Sequence, residues 1–406
     1  MPNTAHKTLL LAPALLLTAA LTQATSFRMV YDGDMHAQAD VVARVEVLAT
    51  SPAPGLGAPH TDHIVLIERL LKGRVSGTTV VVRLLGGVGP DGIGLEVYGT
   101  PRMREGDRAL LFLRPRRDGT YGILHLMLGA FFERGPVDRR VALRQFDDGV
   151  QAVGGTWNEA RRVRDWDRFE NWLADRSKGI FRNPDYLTDE ASVPGAVYGP
   201  SLLDFENKPI RFFEFDDGEK VVWKVGRGVG NARKSFRKAV KAWNSDPDTV
   251  ILLAQKGRTR VSNGFLEPDG LNAILFGDPN GEVEGTYNCA RGGVIAVGGA
   301  WFYDPAVIRK IPKDRGKGKA NVALEADIIT NDGTECLLSG DVQAAAQVFG
   351  HELGHTLGLA HSCDDDVSGP CNSEAKAEAL MRAFFHEDGR GAVLGDWDRK
   401  WIGKLY

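Results

Sequence analysis

Residues 351–361 read His-Glu-Leu-Gly-His-Thr-Leu-Gly-Leu-Ala-His, and no other run restricts the chain as much. His351 and His355 lie four positions apart, so on a helix they stack on one face and can share one metal ion. Glu352 sits about 100° further round the helix, where it flanks that ion and can hold a water bound to it. Gly358 can take a positive φ without a Cβ clash, so the helix can stop there and the chain turn back. That turn brings His361 up as a third ligand. Three protein ligands leave a fourth position for water, the arrangement of a catalytic zinc rather than a structural one.

The residues upstream agree. Ser339 and Asp341 are both good N-caps, and a helix starting near either runs into the histidines. At about 100° per residue, Val342, Ala346, Phe349, Leu353 and Leu357 form one apolar stripe, with His351 and His355 on the other side. The stripe can enter a core while the histidines face a cleft. A buried helix whose histidines merely satisfy backbone groups is the plainer alternative. Five fixed residues in eleven, on an amphipathic helix, weigh against it.

This run resembles the zinc signature of the metzincin metallopeptidases. With Ser362 after the third histidine it is most similar to the matrixin branch. The likeness covers about the last 70 residues and extends more loosely back to residue 205. It implies an α+β fold: a metzincin-like catalytic domain over 205–406, made of a twisted sheet and a zinc helix. It further implies one catalytic zinc ion and a protein or peptide substrate. Metzincins place a methionine in a tight turn beneath the zinc, and Met381 matches that role here. The chain also departs from its relatives. Its first cysteine is Cys289, so a cysteine switch in a propeptide is excluded. No histidine occurs between residues 200 and 350, so a second, histidine-held zinc is not expected. Position 383 is alanine, where astacins and serralysins carry a tyrosine after the turn methionine.

Zinc on three neutral histidines lowers the pKa of its water from 15.7 to roughly 7. Glu352 can then accept the proton as the hydroxide attacks a peptide carbonyl, and pass it to the departing amine. The expected function is an exported zinc endopeptidase. The alternative is a zinc-containing adhesion or binding module without turnover, which has no need of the Glu352 carboxylate.

A chain of 406 residues holds two or three domains. It is 43% hydrophobic and 25% charged with a net charge of −3, which offers no case for a nucleic-acid partner. Residues 1–24 read as an export signal: Lys7 precedes an apolar run from Leu9 to Leu21, and Ala24 ends the segment. The run is too short to span a bilayer, which needs about 20 residues. A secreted or periplasmic protein follows, with no membrane span after signal cleavage, in a compartment where disulfides persist.

Residues 25–150 read as a β-rich domain. Its strand candidates are Asp40–Leu48, His63–Leu71, Thr78–Leu85, Arg108–Leu113 and Tyr121–Phe132, separated by Gly/Pro segments. Five short strands suggest a small barrel of the OB type, and the domain loosely resembles netrin-like modules, though it lacks their cysteines. Residues 151–204 read as a helix and linker. The helix covers 159–178, with Val163, Trp166, Phe169, Trp172 and Leu173 at helical spacing. The linker runs over the proline-spaced stretch 181–209.

The second domain opens with strand-like Ile210–Phe215 and Lys220–Val225. A helix Asn231–Trp243 and strands Thr249–Ala254, Gly293–Phe302 and Leu324–Thr330 follow. An exposed edge strand among the last two can bind an extended peptide by main-chain hydrogen bonds. A C-terminal helix spans Leu394–Tyr406.

Four cysteines allow three pairings. Cys363–Cys371 and Cys289–Cys336 are favoured over free thiols: the first pair is close in sequence, and the second ties the two strand regions before the zinc helix. Calcium ligands are a weaker suggestion, from Asp278-Pro279-Asn280-Gly281-Glu282, Asn331-Asp332 and Asp364-Asp365-Asp366. The N-terminal domain either covers and regulates the active site or localises the enzyme. Tyr31-Asp32-Gly33-Asp34 is similar to the motif by which astacin propeptides offer an aspartate to zinc, which would make Asp34 the covering ligand.

Overall fold

The computed structural model describes residues 25–54, 59–146, 150–154, 163–188, 204–205, 208–228, 230–260, 262–304, 320–364 and 368–406. The expected export signal lies outside them. The fold is α+β, built on a closed five-stranded barrel and a second, mixed sheet.

In the barrel, Val41–Pro52 pairs with His60–Lys72, which pairs with Thr79–Leu85. Tyr121–Ile123 follows, and Arg108–Pro115 closes the ring by pairing with both Tyr121–Ile123 and Val41–Pro52. Side chains alternate across a strand, so Val41, Ala43, Val45 and Val47 point to the inside with Val80, Val82, Leu84, Ala109, Leu111 and Leu113. The opposite face of the same strands is also buried. Val42, Leu110 and Phe112 join Phe131, the helix residues Trp166, Phe169, Trp172 and Leu173, and Val297 and Trp301 of the second sheet. One core therefore runs from the barrel into the second half of the chain.

The second sheet runs in the order Val150–Ala152, Thr25–Arg28, Gly293–Tyr303, Asn321–Thr330, Asn272–Leu275, Val221–Val225, Leu253–Arg258. The last four are mutually parallel. Gly293–Tyr303 runs antiparallel to its neighbours Asn321–Thr330 and Thr25–Arg28. Helices Ala232–Trp243 and Val342–Thr356 pack on this sheet through Phe236, Ala239, Trp243, Val348, Phe349 and Leu353. A boundary at residue 150 thus misses part of the pairing, because Thr25–Arg28, Ile93–Val97 and Val150–Ala152 all belong to the second sheet.

Several element assignments change. Tyr121–Phe132 is not one strand. It breaks after Ile123, where His125 and Leu126 take left-handed φ of 54° and 53°, and resumes as Ala130–Arg134 after a 3-10 turn. An unbroken apolar run carries no period to reveal such a reversal. The helix expected over 159–178 begins only at Trp166, capped by Asp165, which accepts from Arg168 N; Val163 belongs to a short strand before it. Residues 155–162 lie outside the described part. The start of the expected linker is folded: Leu187–Thr188 pairs with Val163–Asp165, and the buried Tyr186 hydroxyl donates to Asp32 Oδ2 at 2.9 Å. Ile210–Phe215 is a strand ending at Arg211 followed by a 3-10 turn. The strand expected at Thr249–Ala254 lies at Leu253–Arg258, and Asn272–Leu275 was not anticipated.

Candidate metal centre

The histidine helix spans Val342–Thr356, and the Asp341 side chain accepts from the amides of Gln343 and Ala344 at its start. Satisfying those otherwise unpaired donors fixes where the helix begins. Two glycines let its neighbours come close. Trp243 Nε1 donates to Gly350 O at 2.8 Å. A Cβ at Gly354 would lie 2.5 Å from Trp243 Cζ2 and closer still to Met381 Sδ. The helix ends at Gly358, whose φ is 94°. Gly358 N donates to His355 O and Leu359 N to Gly354 O, at 2.8 and 3.0 Å. The chain then reverses and places His361 beside the other two.

The three imidazoles converge. His351 Nε2 lies 2.7 Å from His355 Nε2 and 3.0 Å from His361 Nε2. His351 Nδ1 faces Leu380 O at 3.0 Å, and His355 Nδ1 faces Leu359 O at 2.7 Å. A carbonyl only accepts, so both Nδ1 atoms carry the proton and both Nε2 atoms present lone pairs. Two lone pairs 2.7 Å apart with no proton between them repel. A cation between them removes the conflict; ligands at about 2.0–2.1 Å in a tetrahedron stand about 3.3 Å apart, wider than the 2.7 and 3.0 Å seen, so the rings would move apart slightly to hold one. Burial, then the neighbouring imidazoles, holds His351 and His355 well below the usual histidine range, in the neutral form that binds metal. The residues present therefore form a group that could hold a metal ion.

Glu352 stands beside them, fully buried. Ser26 Oγ donates to its Oε1 at 2.5 Å, while Oε2 has no hydrogen-bond partner among the described residues. Burial pushes its carboxyl up to about 8, against the hydrogen bonds from Ser26. An unpaired buried oxygen here is where a metal-bound water would find an acceptor.

Met381 lies under the helix in a turn closed by Arg382 N to Ala379 O at 3.2 Å. Asp398 holds this turn, accepting from Leu380 N at 2.7 Å, Met381 N at 3.1 Å and Gly395 N at 2.7 Å. The turn in turn serves the histidines: Leu380 O orients His351, and Met381 O accepts from Ser362 N at 2.8 Å. Cys363–Cys371 and Cys289–Cys336 are disulfide-bonded.

Three features of the site come from the first half of the chain, and sequence reading missed them. Ser26 touches Glu352. Gln151 Nε2 lies 3.1 Å from His351 Nδ1 and donates to Arg382 O at 3.4 Å. The Tyr98 ring stands 5.9 Å from that of His355. No local pattern marks any of the three, since pairing between distant strands brings them in.

The expected cleft and exposed edge strand are corrected by the same contacts. His351, Glu352, His355 and His361 are all 0% exposed. Gly293–Tyr303 is paired on its outer side by Thr25–Arg28 and Ile93–Val97. Asp34 is not among the residues converging on the histidines; it lies in the helix Asp32–Gln38, and its neighbour Asp32 is buried against Arg164. Of the suggested calcium ligands, Asp365 and Asp366 lie outside the described residues, and three of the others have protein partners. Asp278 accepts from the amides of Glu282 and Val283, Asn331 donates to Gly285 O and Val294 O, and Asp364 pairs with Arg382.

No protein-family model matches this chain, and no curated protein matches it.

Proposed function

We propose that the chain is an exported zinc endopeptidase with a metzincin-like, matrixin-like second half. The observation that carries the reading is the histidine group with both Nδ1 protons committed to carbonyls, next to the unpaired Oε2 of Glu352. The sheet backed by two helices and the methionine turn under Gly354 support the same reading, and the two disulfides suit an extracytoplasmic compartment.

His351, His355 and His361 would hold the zinc, which supplies a water acidified to roughly pKa 7 and a positive charge for the developing oxyanion. Glu352 takes the proton of the attacking water and returns it to the departing amine. Gly293–Tyr303, freed on its outer side, would align the substrate backbone. Leu380 O and Leu359 O keep the two imidazoles in the ligating tautomer.

The test pairs metal content with casein hydrolysis. His355→Ala should lose zinc and activity together. Glu352→Ala should keep zinc and lose activity by about 10²–10⁴-fold. Hydrolysis by Glu352→Ala at the wild-type rate would refute the assignment. A zinc-holding module without turnover is the second reading, favoured by the complete burial of the site; it predicts bound zinc and no chelator-sensitive hydrolysis under any condition.

A further inference from the structure

We propose that Thr25–Arg28 is a built-in occupant of the peptide-binding edge, holding the activity of the resting chain low but measurable, with Ser26 set against Glu352. This rests on the endopeptidase reading above.

The pairing is that of a bound peptide. Thr25 lies opposite Val297, Ser26 opposite Ala296, Phe27 opposite Val294 and Arg28 opposite Gly293, antiparallel, with a shift between Ser26 and Phe27. Ile93–Val97 covers the rest of the same edge, from Gly299 to Tyr303. An incoming substrate therefore finds this edge already taken, and main-chain pairing is the source of affinity in strand addition. Val150–Ala152 clamps the far side of the segment, and Val153 N donates to Phe27 O at 2.7 Å.

The side chains divide as they do in a recognised peptide. Phe27 is the anchor, 1% exposed and stacked on Phe146 at 5.5 Å between centroids. Thr25 Oγ1 donates to Tyr98 O, and Arg28 reaches Cys289 O at 2.5 Å. Ser26 faces the site: its hydroxyl donates to the one carboxylate of the histidine run. Gly298 leaves the room for this, since a Cβ there would stand 3.1 Å from Glu352 Oε2. Being tethered, the segment competes at an effective concentration in the millimolar range, well above any passing peptide.

Release of this strand should open the site. Phe27→Asp places a charge in the anchor pocket, and Ser26→Pro removes the amide and hydroxyl that face Glu352. Three readouts are taken on the full exported chain and both variants. They are amide exchange of segments 25–28 and 293–303, binding of a fluorescent peptide hydroxamate to the zinc-loaded protein, and cleavage of an internally quenched peptide. In the wild type the two segments should exchange slowly, with hydroxamate binding and cleavage low. In the variants exchange should be fast, hydroxamate binding gained, and cleavage raised at least tenfold at unchanged zinc content. Added acetyl-Thr-Ser-Phe-Arg peptide should reverse the gain.

Wild-type segments 25–28 that exchange as fast as a free peptide would overturn the proposal without any variant. So would variants that exchange fast and hold zinc yet bind hydroxamate and cleave no better than wild type. Variants that gain hydroxamate binding but cut nothing would leave the strand as a cover and sink the endopeptidase reading instead, and with it the inhibitory role.

Discussion

Gly354→Ala sets two effects of known sign against each other. Within the helix Val342–Thr356, alanine is favoured over glycine by about 1 kcal/mol. Against this, the new methyl would lie 2.5 Å from Trp243 Cζ2 and nearer still to Met381 Sδ. Carbon atoms rest at about 3.5–4.0 Å, so the overlap is about 1 Å or more on two sides. Met381 can rotate, but Trp243 is fully buried and tied by its Nε1 to Gly350 O at 2.8 Å. Overpacking of this kind costs about 1–3 kcal/mol and sometimes more. With both neighbours struck, the upper end applies, leaving a net loss of about 2 kcal/mol, or roughly 30-fold in the folded-to-unfolded ratio. Gly340→Ala is the control, because a Cβ there meets nothing within 4 Å; it should stay within about 0.5 kcal/mol. Urea unfolding followed by tryptophan fluorescence measures both, with zinc content read in parallel. Combining Gly354→Ala with Met381→Ala should recover part of the loss through a coupling of about 0.5–3 kcal/mol. If Gly354→Ala proves as stable as the wild type, helix and methionine turn are not in contact as described.

Two further outcomes follow from the fold. Replacing Cys289 and Cys336 by serine opens a link across 47 residues and should cost about 4 kcal/mol, against about 2.5 kcal/mol for the 8-residue link Cys363–Cys371; denaturation under equal conditions ranks them, and the reverse order would contradict the loop-length argument. Burial raises Glu282 from 4.5 to about 8, so the folded state holds a proton there that the unfolded state has lost. Its stabilising effect is full below about pH 4.5 and fades as pH rises towards 8. Glu282→Gln should flatten that fall and gain stability at pH 8, on the order of a few kcal/mol; unfolding curves with unchanged pH dependence would refute it.

The helix that carries the histidines was legible in the sequence because every signal for it is local. Asp341 as cap, the Phe349–Leu353–Leu357 stripe and Gly358 as the stop all lie within one element. Four of the five barrel strands were legible for a similar reason, through Val-, Leu- and Ile-rich runs between Gly/Pro breaks, and the C-terminal helix through its apolar side. What escaped is non-local or aperiodic. The reversal at His125 sits inside an apolar run. The strand Asn272–Leu275 is only four residues long, flanked by polar turns. The lid over the histidines comes from residues 25–28, 93–98 and 151, whose approach depends on register across hundreds of positions rather than on any motif.

The bond between Thr25 and Val297 also has a meaning in time. Residue 25 leaves the ribosome some 270 positions before its partner. At roughly 5–20 residues per second that delay is on the order of 15–50 s. For about the first 125 positions of it Thr25–Phe27 has no strand to pair with, and after that only Val150–Ala152 on one side; high contact order of this kind folds slowly. A fragment beginning after residue 152 would carry the converse burden. It would hold an eleven-residue apolar strand with one border bare, the template along which copies zip together.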